Sequence, residues 1–259
     1  MDIVACIKRI PDTSEADMIK IDASQTGIER GSLVFKINDW DEYVLETAVQ
    51  LKERTDGSLT AVTVGPKEWD DVLRRALAMG ADRAIRVDQD MVAADCHSVG
   101  AVLTALIKTL TYDLVLFGAQ SEDFGCGQLG VMVAEMLGIP HAALVVGLQE
   151  GEEKIRVDRE LEAGLLESYT IELPALLTIQ TGINRPRYIS LGGIKRAMRK
   201  ELQVVSLGEL GLTSKMLAPQ LKLDRLEFPP MGKEAVLISG SAEESAERLA
   251  SILQNAGIF

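Results

Sequence analysis

Residues 172–202 have the sequence ELPALLTIQTGINRPRYISLGGIKRAMRKEL, and this stretch decides how the chain is organised. Its first part, 175–179, is an apolar run that predicts a strand buried on both faces of a sheet. Residues 184–188 then predict a turn, because their proline cannot continue a regular strand. An apolar loop at 189–194 leads into the basic run 195–200, where spacing alone favours the exposed start of an amphipathic helix.

Strand-like and helix-like segments alternate in the first half of the chain. The predicted strands are the short, apolar or β-branched runs 2–7, 59–64, 84–87 and 113–118. The predicted helices, with apolar residues at helical spacing, are 42–52, 69–79 and 99–110, and Asn38, Asp39 or Asp41 is expected to cap the first. This alternation predicts an α/β fold with a doubly wound, mainly parallel sheet and helices on both faces.

The pattern changes beyond residue 142. Three short runs, 145–148, 154–157 and 168–171, are separated by acidic or glycine-containing turns and predict an antiparallel addition to the sheet. We therefore expect one α/β nucleotide-binding domain at 1–205. Residues 206–259, broken by Pro219, Pro229 and Pro230, predict an extended arm that ends in an amphipathic helix.

Composition excludes several classes of function. Lys and Arg number 27 against 39 Asp and Glu, and the resulting net charge of −12 argues against binding to nucleic acid or to an anionic membrane. No apolar run reaches the roughly 18–20 residues that span a bilayer. The N-terminus does not resemble a signal peptide, and Cys6, Cys96 and Cys126 have no paired spacing. We expect a cytoplasmic protein with reduced thiols, no metal site and no membrane insertion.

A glycine-rich segment, 118–134, follows a predicted strand and opens a predicted helix. The N-terminus of a helix holds phosphate well, because it carries free N–H groups and about half a positive charge. The segment is neither a G-x-G-x-x-G fingerprint nor a P-loop. Glycines at such a junction also serve as packing and turn residues, so from the residues alone both interpretations stay open.

The 172–202 stretch resembles the signature of the electron-transfer flavoprotein β subunit, in which L-P-A, two hydrophobic residues and T precede N-x-P-R-Y, a leucine and a basic run. The glycine-rich loop is similar to the family form G-x-Q-x-x-D followed by C/T-x-Q-x-G. A third family landmark, R-x-A-L-A-M-G-A-D, occurs at 74–82. Together the landmarks cover roughly residues 2–205.

The resemblance implies a Rossmann- or flavodoxin-like domain with an extended C-terminal arm that packs on a partner. It implies a heterodimer in which the α subunit carries the redox-active FAD and the β subunit binds AMP. The nucleotide-binding residues that it implies, by position, are Cys6, Asn38, Asp39, Trp40, Asp41, Val64, Asp123, Phe124, Gly125, Cys126, Gly127, Gln128, Leu129 and Gly130.

A second FAD is the alternative to AMP, since electron-bifurcating members of the family hold one that accepts hydride from NADH. Residues 8–13 resemble the K-x-x-P-D-T opening of those members. The loop departs from their D-G-D-T-A-Q-x-G-P form, because Phe124 and Gly125 replace G-D and Val131 replaces the proline. The N-Q-T-G-Q of AMP-binding members is followed only in part at 127–131, and AMP is favoured.

Two further roles follow from the resemblance. Leu191 occupies the place of the leucine that anchors a recognition loop in a partner dehydrogenase, and we expect Tyr188, Ile194 and Lys195 to share that docking surface. The implied partners are acyl-CoA-type dehydrogenases and a membrane quinone oxidoreductase. An incidental exposed leucine is the alternative. Glu160 falls at the acidic residue that restrains a mobile flavin domain, although its spacing to the following Leu-Pro pair is one residue longer here.

The predicted function is therefore that of an electron-carrier subunit without catalytic residues of its own. An alternative from another class is a stand-alone adenine-nucleotide-binding module of the stress-protein type, built on a similar α/β core. That class would use a G-x-x-G-x(9)-G-[ST] loop, and the sequence contains none.

Overall fold

The computed structural model describes residues 1–12, 14, 19–91, 94–229, 232 and 235–258. Two compact units are present, Met1–Leu226 and Glu227–Phe259. Thr13, the last residue of the 8–13 motif, and Pro230 of the predicted arm lie outside the described residues. Among the helices within those ranges, none combines the length and apolarity needed to cross a membrane.

The strands are β1 (Asp2–Cys6), β2 (Arg9–Pro11), β3 (Phe35–Ile37), β4 (Ser58–Gly65), β5 (Arg83–Asp88), β6 (Leu114–Gly118), β7 (His141–Glu150), β8 (Lys154–Glu160), β9 (Leu166–Glu172), β10 (Ala175–Ile179) and β11 (Leu202–Val205). The helices are α1 (Asp39–Thr55), α2 (Asp70–Met79), α3 (Cys96–Ile107), α4 (Leu129–Leu137), α5 (Leu191–Ala197) and α6 (Ala242–Asn255).

One nine-stranded sheet has the order β11-β5-β4-β1-β6-β10-β7-β8-β9. The strands from β11 to β7 pair in parallel, whereas β8 and β9 pair antiparallel. The predicted α/β fold with an antiparallel addition is thereby confirmed. The 145–148 run, predicted as part of the addition, lies in β7 and pairs antiparallel with β8, while the start of the same strand pairs in parallel with β10.

The two faces of the sheet carry separate hydrophobic clusters. Ile3 and Ala5 of β1 belong to one cluster with α1 and α2, and Val4 and Cys6 belong to the other with α3 and α4. Successive residues of a strand point to opposite faces, so the helices change face between the first and second pair. The neighbouring strands β1 and β6 therefore form a topological switch point, where open α/β sheets bind ligands outside the carboxyl ends of the strands.

β10, the strand predicted at 175–179, lies inside the sheet between β6 and β7, and all five of its residues are buried. It is parallel to β6 on one side and to β7 on the other. This burial on both faces explains why the strand has no alternating polar residues.

The first compact unit extends beyond the expected boundary at residue 205. Leu217 is buried, and Leu207, Leu210 and Leu212 pack against the cluster to which α3 contributes. The carboxylate of Asp95 also accepts hydrogen bonds from the N–H groups of residues 220 and 221, at 2.6 and 2.9 Å. Residues up to Leu226 therefore stay with the sheet.

The second unit, Glu227–Phe259, contains α6. Ser241 and Glu244 form a capping box at the start of the helix, each side chain binding the backbone of the other residue. Leu249 and Ile252 are exposed. The terminal amphipathic helix predicted from the sequence is present.

Candidate functional site

A cleft of about 470 Å³ lies at the switch point between β1 and β6. Its lining residues are Asp39, Trp40, Gln120, Ser121, Glu122 and Gly125. Two of these begin α1, which follows β1 in this part of the fold, and the others follow β6 directly. The carboxyl ends of two neighbouring strands thus open into one concave site, which is the usual form of a small-molecule site in this fold class.

Asn38 joins the two sides of the cleft. Its buried side chain donates from Nδ2 to the carbonyl oxygen of Gln120 at 2.9 Å and accepts at Oδ1 from the N–H of Glu122 at 3.0 Å. The residue stands at the N-cap position of α1, but no side-chain cap bond forms there. The expected position of Asn38 at the cap is therefore correct, but its amide binds the loop after β6 instead of the first turn of α1.

Asp41 is buried in the first turn of α1, where its carboxylate accepts a hydrogen bond from the N–H of Lys8 at 2.7 Å. Burial raises the pKa of Asp41 to about 7, although hydrogen bonds from Lys8, Asn38 and Gly118 act in the opposite direction. Burial and the neighbouring Asp41 also raise the pKa of the Cys6 thiol well above its usual range. Cys6 is accordingly a neutral thiol at physiological pH.

Lys8 contributes the cation of the cleft. Its Nζ lies 2.7 Å from Asp123 Oδ1 and 3.4 Å from Ser121 Oγ. The same ammonium group lies 4.4 Å from the centre of the Phe124 ring, within the range of a cation–π interaction. Lys8 was not among the predicted site residues, although it follows a buried strand and begins the K-x-x-P-D-T motif at 8–13.

The loop before α4 has two glycines in the left-handed region, Gly125 with φ of 60° and Gly127 with φ of 62°. Residues other than glycine pay a steric cost there. Gly118 and Gly130 serve a different purpose, since neither has room for a side chain. A Cβ on Gly118 would lie 2.8 Å from Trp40 Cβ, and one on Gly130 would lie 2.6 Å from Thr178 Cγ2. The turn role is therefore present at Gly125 and Gly127 and the packing role at Gly118 and Gly130, while phosphate binding by this loop stays a prediction.

The start of α4 carries no side-chain cap: Gln128 occupies the N-cap position without bonding the first turn. The first N–H groups of an α-helix have no partner within the helix. The first N–H groups of α4 therefore have no partner in the helix, and they follow directly on the glycine-rich loop whose Gly125 lines the cleft. This arrangement suits an anion.

The nucleotide-binding residues predicted from the resemblance all lie near the carboxyl edge of the parallel sheet. Cys6 ends β1, Val64 is the next-to-last residue of β4, residues 38–41 open α1, and residues 123–130 lead into α4. The side chains of Cys6 and Val64 are buried in the hydrophobic cluster. At these two positions only the backbone is available to a ligand.

Trp40 connects the cleft to β8. Its indole Nε1–H donates to Gln180 Oε1 at 2.8 Å, and Gln180 Nε2 donates to Glu160 Oε2 at 3.3 Å. Glu160 thus lies two hydrogen bonds away from the cleft. Gln180, the middle member of this chain, directly follows β10 and was not predicted.

The residues predicted to dock a partner lie on a separate surface. Tyr188 and Leu191 are 95% and 79% exposed, and Ile194 and Lys195 are also exposed. The expected loop at 189–194 was wrong in part, because α5 begins at Leu191. Its start is capped by Ser190, whose hydroxyl accepts a hydrogen bond from the N–H of the third helical residue at 3.0 Å.

This surface is held on the outer part of α1. Arg187 makes ion pairs with Glu46 and Glu53, each at 2.8 Å, and Asn184 Nδ2 donates to Thr47 Oγ1 at 2.8 Å. The guanidinium of Arg187 lowers the pKa of Glu53. The 184–188 turn is therefore fixed by polar contacts, while the residues that follow it project their apolar side chains into solvent.

Comparison with known proteins supplies the family. A family model described as "Electron transfer flavoprotein domain" matches residues 26–210. The "Electron transfer flavoprotein subunit beta" of Methylophilus methylotrophus is 38% identical to this chain, and that of Bacillus subtilis is 37% identical, each over 98% of both chains. The pig protein of the same name is 33% identical over 98% of this chain and 97% of its own length. The chain therefore belongs to the electron transfer flavoprotein β subunit family.

Proposed function

We propose that this chain binds AMP in the cleft between β1 and β6, pairs with an FAD-bearing α subunit, and docks acyl-CoA-type dehydrogenases for electron transfer. The observation that carries the proposal is the convergence of three features at the switch point of the sheet. These are the cleft, the loop with left-handed glycines, and the uncapped start of α4.

The chemistry of the cleft fits a nucleotide at its phosphate end. Uncapped N–H groups at the start of α4 bind anionic oxygens without any side chain. Lys8 pairs with Asp123 and Lys36 with Asp39, each at 2.7 Å, so the two lysines offset two carboxylates that would otherwise repel a phosphate. The indole of Trp40 adds an amphipathic surface to the lining of the same cleft.

A second FAD in place of AMP remains the rival proposal, and one observation favours it. Lys8, the first residue of the bifurcating-type opening, contacts the loop after β6, since its Nζ lies 2.7 Å from Asp123 Oδ1. In that case the flavin, when bound, would supply hydride chemistry with NADH. The departures of the loop at Phe124, Gly125 and Val131 still favour AMP.

A pair of glycines allows a matched test of the phosphate position. Gly125 and Gly138 both have positive φ and open space where a Cβ would stand, and they lie near opposite ends of α4. Aspartate at either position adds the same strain and the same charge. We expect Gly125→Asp to lower AMP affinity at least tenfold by repelling the phosphate, and Gly138→Asp to leave it within twofold, as measured by calorimetric titration. Equal affinities for the two variants would exclude phosphate binding at this loop.

The docking proposal rests on the exposed apolar side chains of α5 and its preceding turn. Leu191 stands out from the first turn of α5, and Lys195 and Arg196 lie in the last turn of the same helix. Interfaces of this kind gain most of their affinity from one or two buried apolar anchors, while a charged rim raises the rate of encounter. A dehydrogenase or a membrane quinone oxidoreductase would therefore receive Leu191 in an apolar pocket with an acidic rim.

The chain's own residues need no acid–base step in this function. Bound flavins would exchange the electrons, and the β subunit would hold the nucleotide, support the α subunit and present the docking surface. We further propose that Glu160, through Gln180 and Trp40, restrains the flavin domain of the α subunit. Because the three side chains form one hydrogen-bonded chain, nucleotide occupancy and domain restraint would be linked.

A further inference from the structure

Glu122 places a carboxylate in the cleft between β1 and β6. It is one of the lining residues, and its side chain is only 13% exposed. Its N–H donates to Asn38 Oδ1 at 3.0 Å, so the backbone of Glu122 is held against the start of α1. The carboxylate therefore belongs to the wall of the cleft and not to its solvent-exposed rim.

This carboxylate occupies the N-terminal end of α1. Glu122 Oε1 accepts a hydrogen bond from the N–H of Asp39, the first residue of α1, at 3.4 Å, and lies 3.4 Å from Lys36 Nζ. The N-terminus of a helix is otherwise a place where the anion of a ligand binds well. α1 thus holds an anion of the chain itself, whereas Gln128 leaves the first turn of α4 without a side-chain cap.

The charged side chains beside the cleft are already balanced against one another. Lys8 pairs with Asp123, and Lys36 pairs with Asp39, each at 2.7 Å. Glu122 is a third carboxylate next to these two ammonium groups, so the five side chains together carry a charge of −1. One phosphate can bind the N–H groups of α4, but these five side chains offer no surplus cation to a second phosphate.

We propose that Glu122 determines the specificity of the site, because its carboxylate repels the second phosphate of a nucleoside diphosphate and restricts the cleft to nucleoside monophosphates. The inference rests on the proposed nucleotide site and names the class of nucleotide that this site accepts. The same repulsion would act on the pyrophosphate of a dinucleotide such as FAD.

The size of the cleft makes the repulsion effective. A sphere of 470 Å³ has a diameter of about 10 Å, so a phosphate in the cleft lies no farther from Glu122 than about the Debye length in 0.1 M salt. Charges that are partly buried are screened less than charges in open solvent. ADP carries one negative charge more than AMP at pH 8, so Glu122 weakens the binding of ADP more than that of AMP.

The test compares AMP and ADP on the full chain freed of nucleotide. Both are titrated by calorimetry at pH 8 with EDTA, so that no divalent cation neutralises the phosphates. In about 50 mM NaCl we expect the wild type to bind AMP about tenfold more tightly than ADP, and Glu122→Gln to reduce this preference about fivefold. Glu135→Gln is the matched control: it removes the same charge from an exposed position in the last turn of α4, and its preference should stay within twofold of the wild type.

Salt provides a second measurement that needs no variant. Screening should reduce the wild-type preference for AMP severalfold between about 50 and about 500 mM NaCl, whereas steric exclusion of the second phosphate would leave it unchanged. Equal affinities of the wild type for AMP and ADP, a preference that does not change with salt, or one that does not change in Glu122→Gln would each overturn the role of Glu122 and leave the nucleotide site standing. Binding of neither nucleotide would overturn the proposed function and this inference with it.

Discussion

Replacement of Arg187 by methionine tests how the docking surface is held on the fold. The substitution keeps an unbranched side chain and removes the guanidinium, which donates from Nε to Glu46 at 2.8 Å and from Nη1 to Glu53 at 2.8 Å. Glu46 is a side chain of α1 that is only 4% exposed, so its carboxylate cannot be solvated when its partner is removed.

The size of the effect follows from burial. Removal of one partner from a fully buried ion pair costs about 3–5 kcal/mol. Arg187 is 33% exposed, and Gln50 still donates to Glu46 at 2.7 Å in the variant. We therefore expect a loss of about 2–3 kcal/mol in the free energy of unfolding. Glu53 is 56% exposed, and its pair contributes no more than about 1 kcal/mol of that loss.

The assay is urea unfolding of the purified chain, followed by tryptophan fluorescence and by circular dichroism. Arg185→Met is the matched control, because Arg185 is an exposed arginine two residues earlier in the same turn, and we expect a change below about 0.5 kcal/mol. The double variant Arg187→Met with Glu46→Gln should recover most of the loss, since no buried charge is left unpaired. If Arg187→Met and Arg185→Met were equally stable, the ion pairs would not be what fixes the turn.

Two further predictions concern the docking surface and the cleft. In a complex with its α subunit, Leu191→Ala should slow electron delivery to an acyl-CoA dehydrogenase about tenfold or more while flavin content stays constant; an unchanged rate in a stopped-flow assay would remove Leu191 from the interface. Burial raises the pKa of Asp41 from the usual carboxyl value of 3.8 to about 7 in the folded state, so stability falls as the pH rises between these two values and levels off above the higher one. Between pH 5 and pH 8 the fall is confined to the roughly two pH units below the pKa of Asp41. The free energy of unfolding of the wild type should therefore decrease by about 3 kcal/mol over this range. The Asp41→Asn variant should lack this fall. Urea unfolding of both proteins at pH 5 and at pH 8 measures it. An equal decrease in the free energy of unfolding for the two proteins would show that another group is responsible.

The pattern of apolar residues along the chain predicted those strands and helices whose formation depends mainly on their own sequence. The uninterrupted apolar run at 175–179 predicted β10, and its burial on both faces accounts for the missing alternation. Spacing did not predict the start of α5 at Leu191, because two glycines follow that residue and glycine disfavours a helix interior. There the Ser190 cap and packing against α2, where Arg74 donates to the carbonyl oxygen of Ala197 at 2.9 Å, outweigh the low propensity.

Contacts between distant segments lay beyond what the patterns could predict. Asn38 binds the loop more than 80 residues later, so its amide, expected as a helix cap, became a link across the cleft. Lys8 and Asp123 are brought together only because β1 and β6 are neighbours in the sheet. Of the residues that line the cleft, Asp39, Trp40 and Gly125 were among those named as nucleotide-binding through the family motifs, whereas Gln120, Ser121 and Glu122 were not.

Nucleotide content is the most direct measure of the proposed site. The chain would be co-expressed with an electron transfer flavoprotein α subunit, the purified complex denatured, and the released nucleotides separated by chromatography and quantified against protein. AMP binding in the cleft between β1 and β6 predicts one FAD and one AMP per heterodimer. Two FAD molecules per heterodimer would contradict the AMP assignment in favour of a bifurcating subunit, and one FAD with no second nucleotide would contradict a nucleotide site in this chain.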